Sequence, residues 1–380
     1  MKTEIIQVMA GAAVLSAFTY IPILARDALG ADNFYVTILV GFYAVASFVS
    51  SYIFGRAGDI YGRRIVLRFG LLLSTLSFGL IIFSNSLEVL FIVRLLNGFS
   101  IGIYPGALAA FAYESHMKMG RFASFGAVGW GVGTIIAGYA AGFGIHWAFM
   151  ISTVFFIAAF GTAMTLPTIE RDSIAVPLFP KDTLTKNFSV YGAVLIRHSS
   201  AFALWTLWPL FLSDLGGTLF SQGELLIMIG IVQATNSVSQ VVFMVGITDR
   251  FKDTQLIQMG LVSSAVTFLW FSFAKTIIDI IPAQILLGFS WACLYVGALT
   301  FLNDRNEERS TASGLLTSIM SISGVLGPIF AGILITIWPN QYLPIIIFAA
   351  VMSTIGFVFF RYTNNEITDK SSESEMIFEY

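Results

Sequence analysis

The ionisable side chains of this sequence are few, and several stand where charge is costly. Asp, Glu, Lys and Arg make up 11 % of its 380 residues, against about 25 % in a soluble domain. Arg94, Arg197 and His198 lie inside long apolar stretches. An arginine there costs roughly 2.5–3.5 kcal/mol on insertion scales, so it has to face protein or water. The segment GRAGDIYGRR (55–64) sets one carboxylate, Asp59, among Arg56, Arg63 and Arg64. No apolar stretch holds a His/Asp/Glu cluster with metal-ligand or nucleophilic spacing. No GxxxxGK[ST] loop for nucleotide phosphates occurs either. The pattern therefore calls for no metal, no cofactor and no catalytic set. It fits charge pairing, ligand binding and proton carriage. His198 titrates near neutral pH. With Arg94, Glu114 and Asp27 it forms the set of candidate coupling groups, because no carboxylate sits in the middle of an apolar stretch.

The elements that carry these residues are membrane spans. Hydrophobic residues make up 57 % of the chain and the mean hydropathy is +0.83. Apolar runs cover 5–25, 34–54, 66–84, 88–112, 122–143, 147–166, 188–212, 224–246, 255–274, 278–302, 312–336 and 342–360. Each is close to the roughly 20 residues that a helix needs to cross hydrocarbon. Transmembrane strands would be about 10 residues long and alternating, and these runs are neither. The first run is too long for a signal peptide and no small-residue cleavage pattern follows it, so it reads as a retained helix. With the N-terminus inside, sixteen Lys and Arg residues fall on the cytoplasmic side and two, Arg26 and Lys275, outside. That bias predicts a multi-pass cell-membrane protein with both termini cytoplasmic. The net charge of −2 gives no basis for a nucleic-acid partner, and the single Cys293 allows no internal disulfide.

The runs divide six and six about a polar connection. The expected organisation is an N-terminal bundle (1–166), a cytoplasmic central loop (167–187), a C-terminal bundle (188–362) and an acidic, unstructured cytoplasmic tail (363–380). The halves repeat. Pro22 and Pro209 are 187 positions apart, Asp59 and Asp249 190, Gly98 and Gly288 190, and Gly138 and Gly332 194. Four matches in order at a nearly constant offset point to a parallel two-half repeat, which places a substrate site between the halves.

The 55–64 segment resembles the G-x-x-x-D-R-x-G-R-R signature of the major facilitator superfamily. Gly55, Asp59, Gly62, Arg63 and Arg64 match it, and Ile60 stands where the second charged residue is usual. TDRFKD (248–253) resembles a decayed copy. The resemblance covers essentially the whole chain and implies an all-α fold of twelve transmembrane helices in two pseudo-symmetric bundles. It implies that Asp59 latches the two halves on the cytoplasmic side, and that helices 1, 4, 7 and 10 line a cavity while 3, 6, 9 and 12 face lipid. Gly55 and Gly62 are read as turn formers. Arg94 resembles the arginine of the family's R-x-x-x-G pattern in the fourth helix. GAVGWGVGTIIAG (126–138) is similar to the exporters' G-P-x-x-G-G region, with Thr134 in place of the proline. GRFASFGAVGW (120–130) resembles the fifth helix of oligosaccharide–proton symporters, with Trp130 at the sugar-stacking position and Ala123 where an arginine is usual.

Facing supplies further cavity candidates. Arg197, Ala201, Trp205 and Trp208 share one helix face, which suits an anionic or aromatic solute. Gln233, Asn236 and Gln240 share another face, and three amides do not point at hydrocarbon without cost. Tyr20, Tyr104 and Tyr295 add hydroxyls. The expected function is secondary active transport by alternating access, with proton-coupled efflux of a drug or metabolite as the first reading. Proton-symport uptake of a sugar or other polar solute, or facilitative uniport, is the alternative. A membrane-embedded enzyme would need the catalytic cluster that is missing. The expected partners are a small-molecule substrate, the lipid bilayer and protons as coupling ion, with the chain acting as a monomer.

Overall fold

The computed structural model describes residues 2–378 except 19, 22–23, 32, 142, 168–175, 217–221 and 339–340. Side chains at 26–27, 33–34, 36–37, 138, 209–210, 213–214, 216, 222–227, 229–230, 233–234 and 365–378 also lie outside that description. Twelve long helices follow one another: α1 (Lys2–Phe18), α2 (Asn33–Tyr61), α3 (Arg63–Gly79), α4 (Leu87–Glu114), α5 (Met119–Ala141), α6 (Ile145–Met164), α7 (Phe188–Gly216), α8 (Gln222–Gly246), α9 (Asp253–Phe273), α10 (Ile280–Arg305), α11 (Arg309–Ile337) and α12 (Leu343–Phe378). A short helix, Lys181–Lys186, stands between α6 and α7. Among the described residues nine helices, α2 to α6 and α9 to α12, are long and apolar enough to cross a membrane. The chain is a multi-pass membrane protein.

Helix ends depart from the hydropathy runs where helix formation continues past the apolar stretch. Helix α2 extends through the charged GRAGDIY and stops at Tyr61. Gly62 alone makes the turn into α3, with φ +96, a region that glycine enters without a Cβ penalty. The acidic tail continues α12 to Phe378 instead of leaving it as an unstructured extension. No Gly or Pro follows Gly356 to break that helix.

Small residues let the helices approach closely, as membrane interiors require. A Cβ on Gly98 would lie 2.2 Å from the Tyr43 carbonyl oxygen, and one on Gly102 2.1 Å from the Ser50 hydroxyl. The Gly98–Gly102 stripe thus seats α4 on α2. The repeat is visible in packing. Gly70 of α3 meets the Tyr104 Cβ of α4, and Gly260 of α9 meets the Leu294 Cβ of α10, with both members shifted by 190 positions. The first residues of α5 and α11, Met119 and Arg309, are also 190 positions apart. Helices α3, α6, α9 and α12 present exposed apolar rows, such as Phe69, Leu72 and Leu76 on α3 and Val351, Ile355 and Val358 on α12. That is the surface that hydrocarbon covers.

Candidate functional site

A cavity of about 650 Å³ lies between the halves. Its walls come from α1, α2, α4, α5, α7, α8, α10 and α11, and none of its described lining residues belongs to α3, α6, α9 or α12. Of the expected cavity residues, Tyr104, Trp130, Arg197, Trp205, Asn236, Gln240 and Tyr295 line it, and so does His198. Tyr20 packs against the hydrophobic core and is not among the residues of the wall. The side chains of Gln233 and Asp27 fall outside the described residues.

The α7 wall is organised around Arg197. Its side chain is 2 % exposed. Its Nε donates to the Ser264 hydroxyl at 2.8 Å, and the hydroxyls of Ser264 and Ser290 hydrogen-bond each other. The guanidinium stands 5.7 Å from the Phe268 ring centre and 5.6 Å from that of Trp291. His198 joins this group. Its Nδ1 is 3.5 Å from an Arg197 terminal nitrogen, and its ring stacks on Trp291 at 5.1 Å and 22°. Trp291 stacks in turn on Tyr295 at 5.2 Å and 10°, and Phe202 meets His198 edge-on at 4.9 Å. One arginine and a ladder of flat rings therefore form one side of the cavity. Across from it the N-half contributes Gln7, Tyr43, Tyr104 and a half-exposed Trp130.

Sequence facing missed Trp291, Gln284, Tyr43 and Gln7. The signals were present but thin. Trp291 precedes Tyr295 by four residues, and Gln284 lies 190 positions after Arg94, at the equivalent place in the C-half helix.

Arg94 is buried, but it is not on the cavity wall. It does not snorkel to the surface, and it meets no carboxylate among the described residues. Its guanidinium sits 4.0 Å over the Tyr43 ring, and its Nε has no hydrogen-bond partner. Tyr43 lines the cavity, so Arg94 lies one layer behind it.

The candidate switch residues assemble at the end of the molecule that carries the 55–64 segment, here called the basic end. Asp59 reaches across to α11. Its carboxylate accepts from the Thr311 backbone N–H at 2.7 Å, the Thr311 hydroxyl at 2.6 Å and the Ser310 N–H at 3.3 Å. These are free N–H groups of the first turn, where a negative charge meets the positive end of the helix dipole. Within its own half Asp59 also accepts from Arg63 at 3.1 Å. Arg63 pairs with Glu114 of α4, which lies 3.6 Å from Arg309 of α11. Arg64 sits partly exposed on the first turn of α3. Gly55 is not a turn residue. It lies inside α2, where a Cβ would stand 2.9 Å from the Gly314 Cα, and a Cβ on Gly106 of α4 would meet the same atom at 2.9 Å. Three glycines thus bring α2, α4 and α11 backbone to backbone. Further from the basic end the seam continues through Ser51–Ser318 at 2.7 Å and Ser47–Ser321 at 3.0 Å. A second crossing, α5 on α8, carries Lys118–Asp249 at 2.8 Å.

The family model described as Major Facilitator Superfamily matches residues 5–190 and again 190–376. The chain belongs to the major facilitator superfamily. Among curated relatives of this major facilitator protein is Multidrug resistance protein 1 of Bacillus subtilis (strain 168). It is 26 % identical over 335 residues, covering 84 % of this chain and 85 % of the relative. Tetracycline resistance protein, class B, of Escherichia coli is 25 % identical over 350 residues, covering 86 % and 84 %. Among solved structures, the proton:xylose symporter XylE superposes with a TM-score of 0.73 at 12 % identity, covering 95 % of each chain. The human organic anion transporter MFSD10 superposes with 0.73 at 14 %, covering 94 % of this chain and 99 % of that one. The superfamily protein is thus a transporter in fold and family, not an enzyme.

Proposed function

We propose that the chain is a secondary carrier that exports small amphipathic organic solutes across the cell membrane by alternating access, driven by proton entry. The observation that carries the reading is a central cavity whose basic end is sealed by contacts between opposite halves, Asp59 on α11 foremost. The positive-inside bias puts that sealed end in the cytoplasm, so the structure corresponds to the outward-facing state. The named resistance functions of the relatives support efflux. Glu114, held between Arg63 and Arg309, belongs to the latch. In this reading 1–166 and 188–362 are the rocking bundles of a monomer, and 167–187 and 363–380 are cytoplasmic.

The half-exposed Trp130 in the cavity wall favours one second reading, uptake of a sugar or other polar solute. Proteoliposomes loaded with a pH dye, held at fixed membrane potential, separate the cases. They are challenged with aromatic cations, aromatic anions and sugars. Solute-driven proton flux opposite in direction to an aromatic solute supports export. Flux with sugar in the same direction supports the second reading. Labelled solute crossing without proton movement assigns a uniporter, and no crossing of any solute overturns the carrier reading.

A further inference from the structure

We infer that the cavity selects planar aromatic oxyanions, carboxylates or sulfonates, over aromatic cations, and that Arg197 is the anchor. The inference rests on the carrier reading above and specifies its substrate.

Arg197 is an uncompensated charge. Its nearest polar neighbours are a serine hydroxyl and a histidine ring nitrogen, both uncharged acceptors at most, and it makes no ion pair among the described residues. No Asp or Glu is among the described residues of the cavity wall. A buried cation without an anion is costly, and an oxyanion entering the cavity relieves that cost. Two further donors lie on the same cavity wall without an acceptor, Trp208 Nε1 and Gln284 Nε2, both in side chains at most 2 % exposed. Among the described residues the orphaned buried acceptor of the wall is Gln240 Oε1, whose amide nitrogen is used on Asn236 Oδ1 at 2.6 Å. The unsatisfied groups therefore demand mainly lone pairs from a ligand. Next to the arginine, the stacked His198, Trp291 and Tyr295 rings give the cavity an aromatic wall. A rigid ring bearing one oxyanion satisfies both parts at once. An aromatic ammonium would bring a second cation to Arg197 and find no carboxylate.

The test uses the purified full chain and the quenching of its own tryptophan fluorescence, since Trp205, Trp208 and Trp291 line the cavity. The probes are 2-naphthoate, naphthalene-2-sulfonate and 2-naphthylmethylammonium, which share one ring system. The expected result is about tenfold or tighter binding of both anions relative to the ammonium, as one charge-assisted contact confers. Arg197→Gln removes that preference, and Arg197→Lys keeps part of it. Equal or tighter binding of the ammonium by the unaltered chain overturns the inference, whatever the variants do. Counterflow of the same three probes in proteoliposomes separates the two levels of argument. Ammonium counterflow without anion counterflow refutes the anion preference and leaves the carrier standing. Counterflow of none refutes both.

Discussion

Asp59 and Thr311 are joined twice, by the threonine's backbone N–H at 2.7 Å and its hydroxyl at 2.6 Å, although they belong to opposite halves of the chain. An α2 carboxylate thus supplies the cap that α11 lacks from its own sequence, where Glu308 makes no side-chain cap. Capping is worth about 1 kcal/mol, and hydrogen bonds to a charged group about 1.5–3 kcal/mol. Asp59→Asn is expected to shift the balance away from the closed basic end by about tenfold or more. The measurement is maleimide labelling of Thr317→Cys, a cavity residue, from the side of the basic end. Native Cys293 is fully buried and gives little background. Labelling that is unchanged in the Asp59→Asn background would remove the latch role.

Gly314 carries the second prediction. A Cβ there would sit 2.5 Å from the Gly55 Cα, and that atom is backbone and cannot swing aside. Gly314→Val is expected to hold the basic end open and to cut solute counterflow by about tenfold or more, since overpacking costs typically 1–3 kcal/mol. The same labelling assay reports the opening. Circular dichroism checks that the helices remain.

Glu114 lies between Arg63 of its own half and Arg309 of the other. Glu114→Gln leaves the two arginines without this shared counter-charge. Its effect on latch opening and that of Asp59→Asn are expected to be non-additive, because Arg63 touches both carboxylates. A double-mutant cycle on the labelling rates measures the coupling. Simple additivity would show that the network is not one unit.

Arg94 is the contrasting case. It is buried without an anionic partner among the described residues and lies behind Tyr43, off the cavity wall. Arg94→Met, of similar length but uncharged, removes a costly charge and strands no carboxylate. The melting temperature in detergent is expected to hold or rise, and naphthoate affinity to stay within about threefold of the unaltered chain, since no direct charge-assisted bond is lost. A tenfold loss of affinity would bring Arg94 into the binding site.

The spans were legible because hydropathy and length alone specify them, and the 190-residue offset read from Asp59 and Asp249 reappears in the packing of Gly70 and Gly260. The Asp59–Arg63 contact was legible because the two residues are adjacent in sequence, and the reach of Asp59 to the other half was an expectation carried by the resemblance of the 55–64 segment. Facing was harder. Tyr20 and Tyr104 are equally plausible tyrosines in apolar helices, yet only Tyr104 reaches the cavity. Local sequence does not report helix rotation when apolar residues surround the helix on all sides. Gly55 misled for a related reason. A glycine near a helix end reads as a turn, and its purpose here is a contact with Gly314, whose position 259 residues away no local rule can supply.

The glycine junction of α2, α4 and α11 also bears on what the protein must not conduct. A barrier made of long side chains breathes, and each rotamer change can admit a water molecule. Where main chains touch, no rotamer exists to open a gap. A file of waters, the path by which protons would short-circuit a gradient, then has no room to form along this seam until α11 moves as a whole. The residues with the smallest side chains in the sequence are, on this account, what keeps the membrane's ion gradients from leaking through an idle carrier.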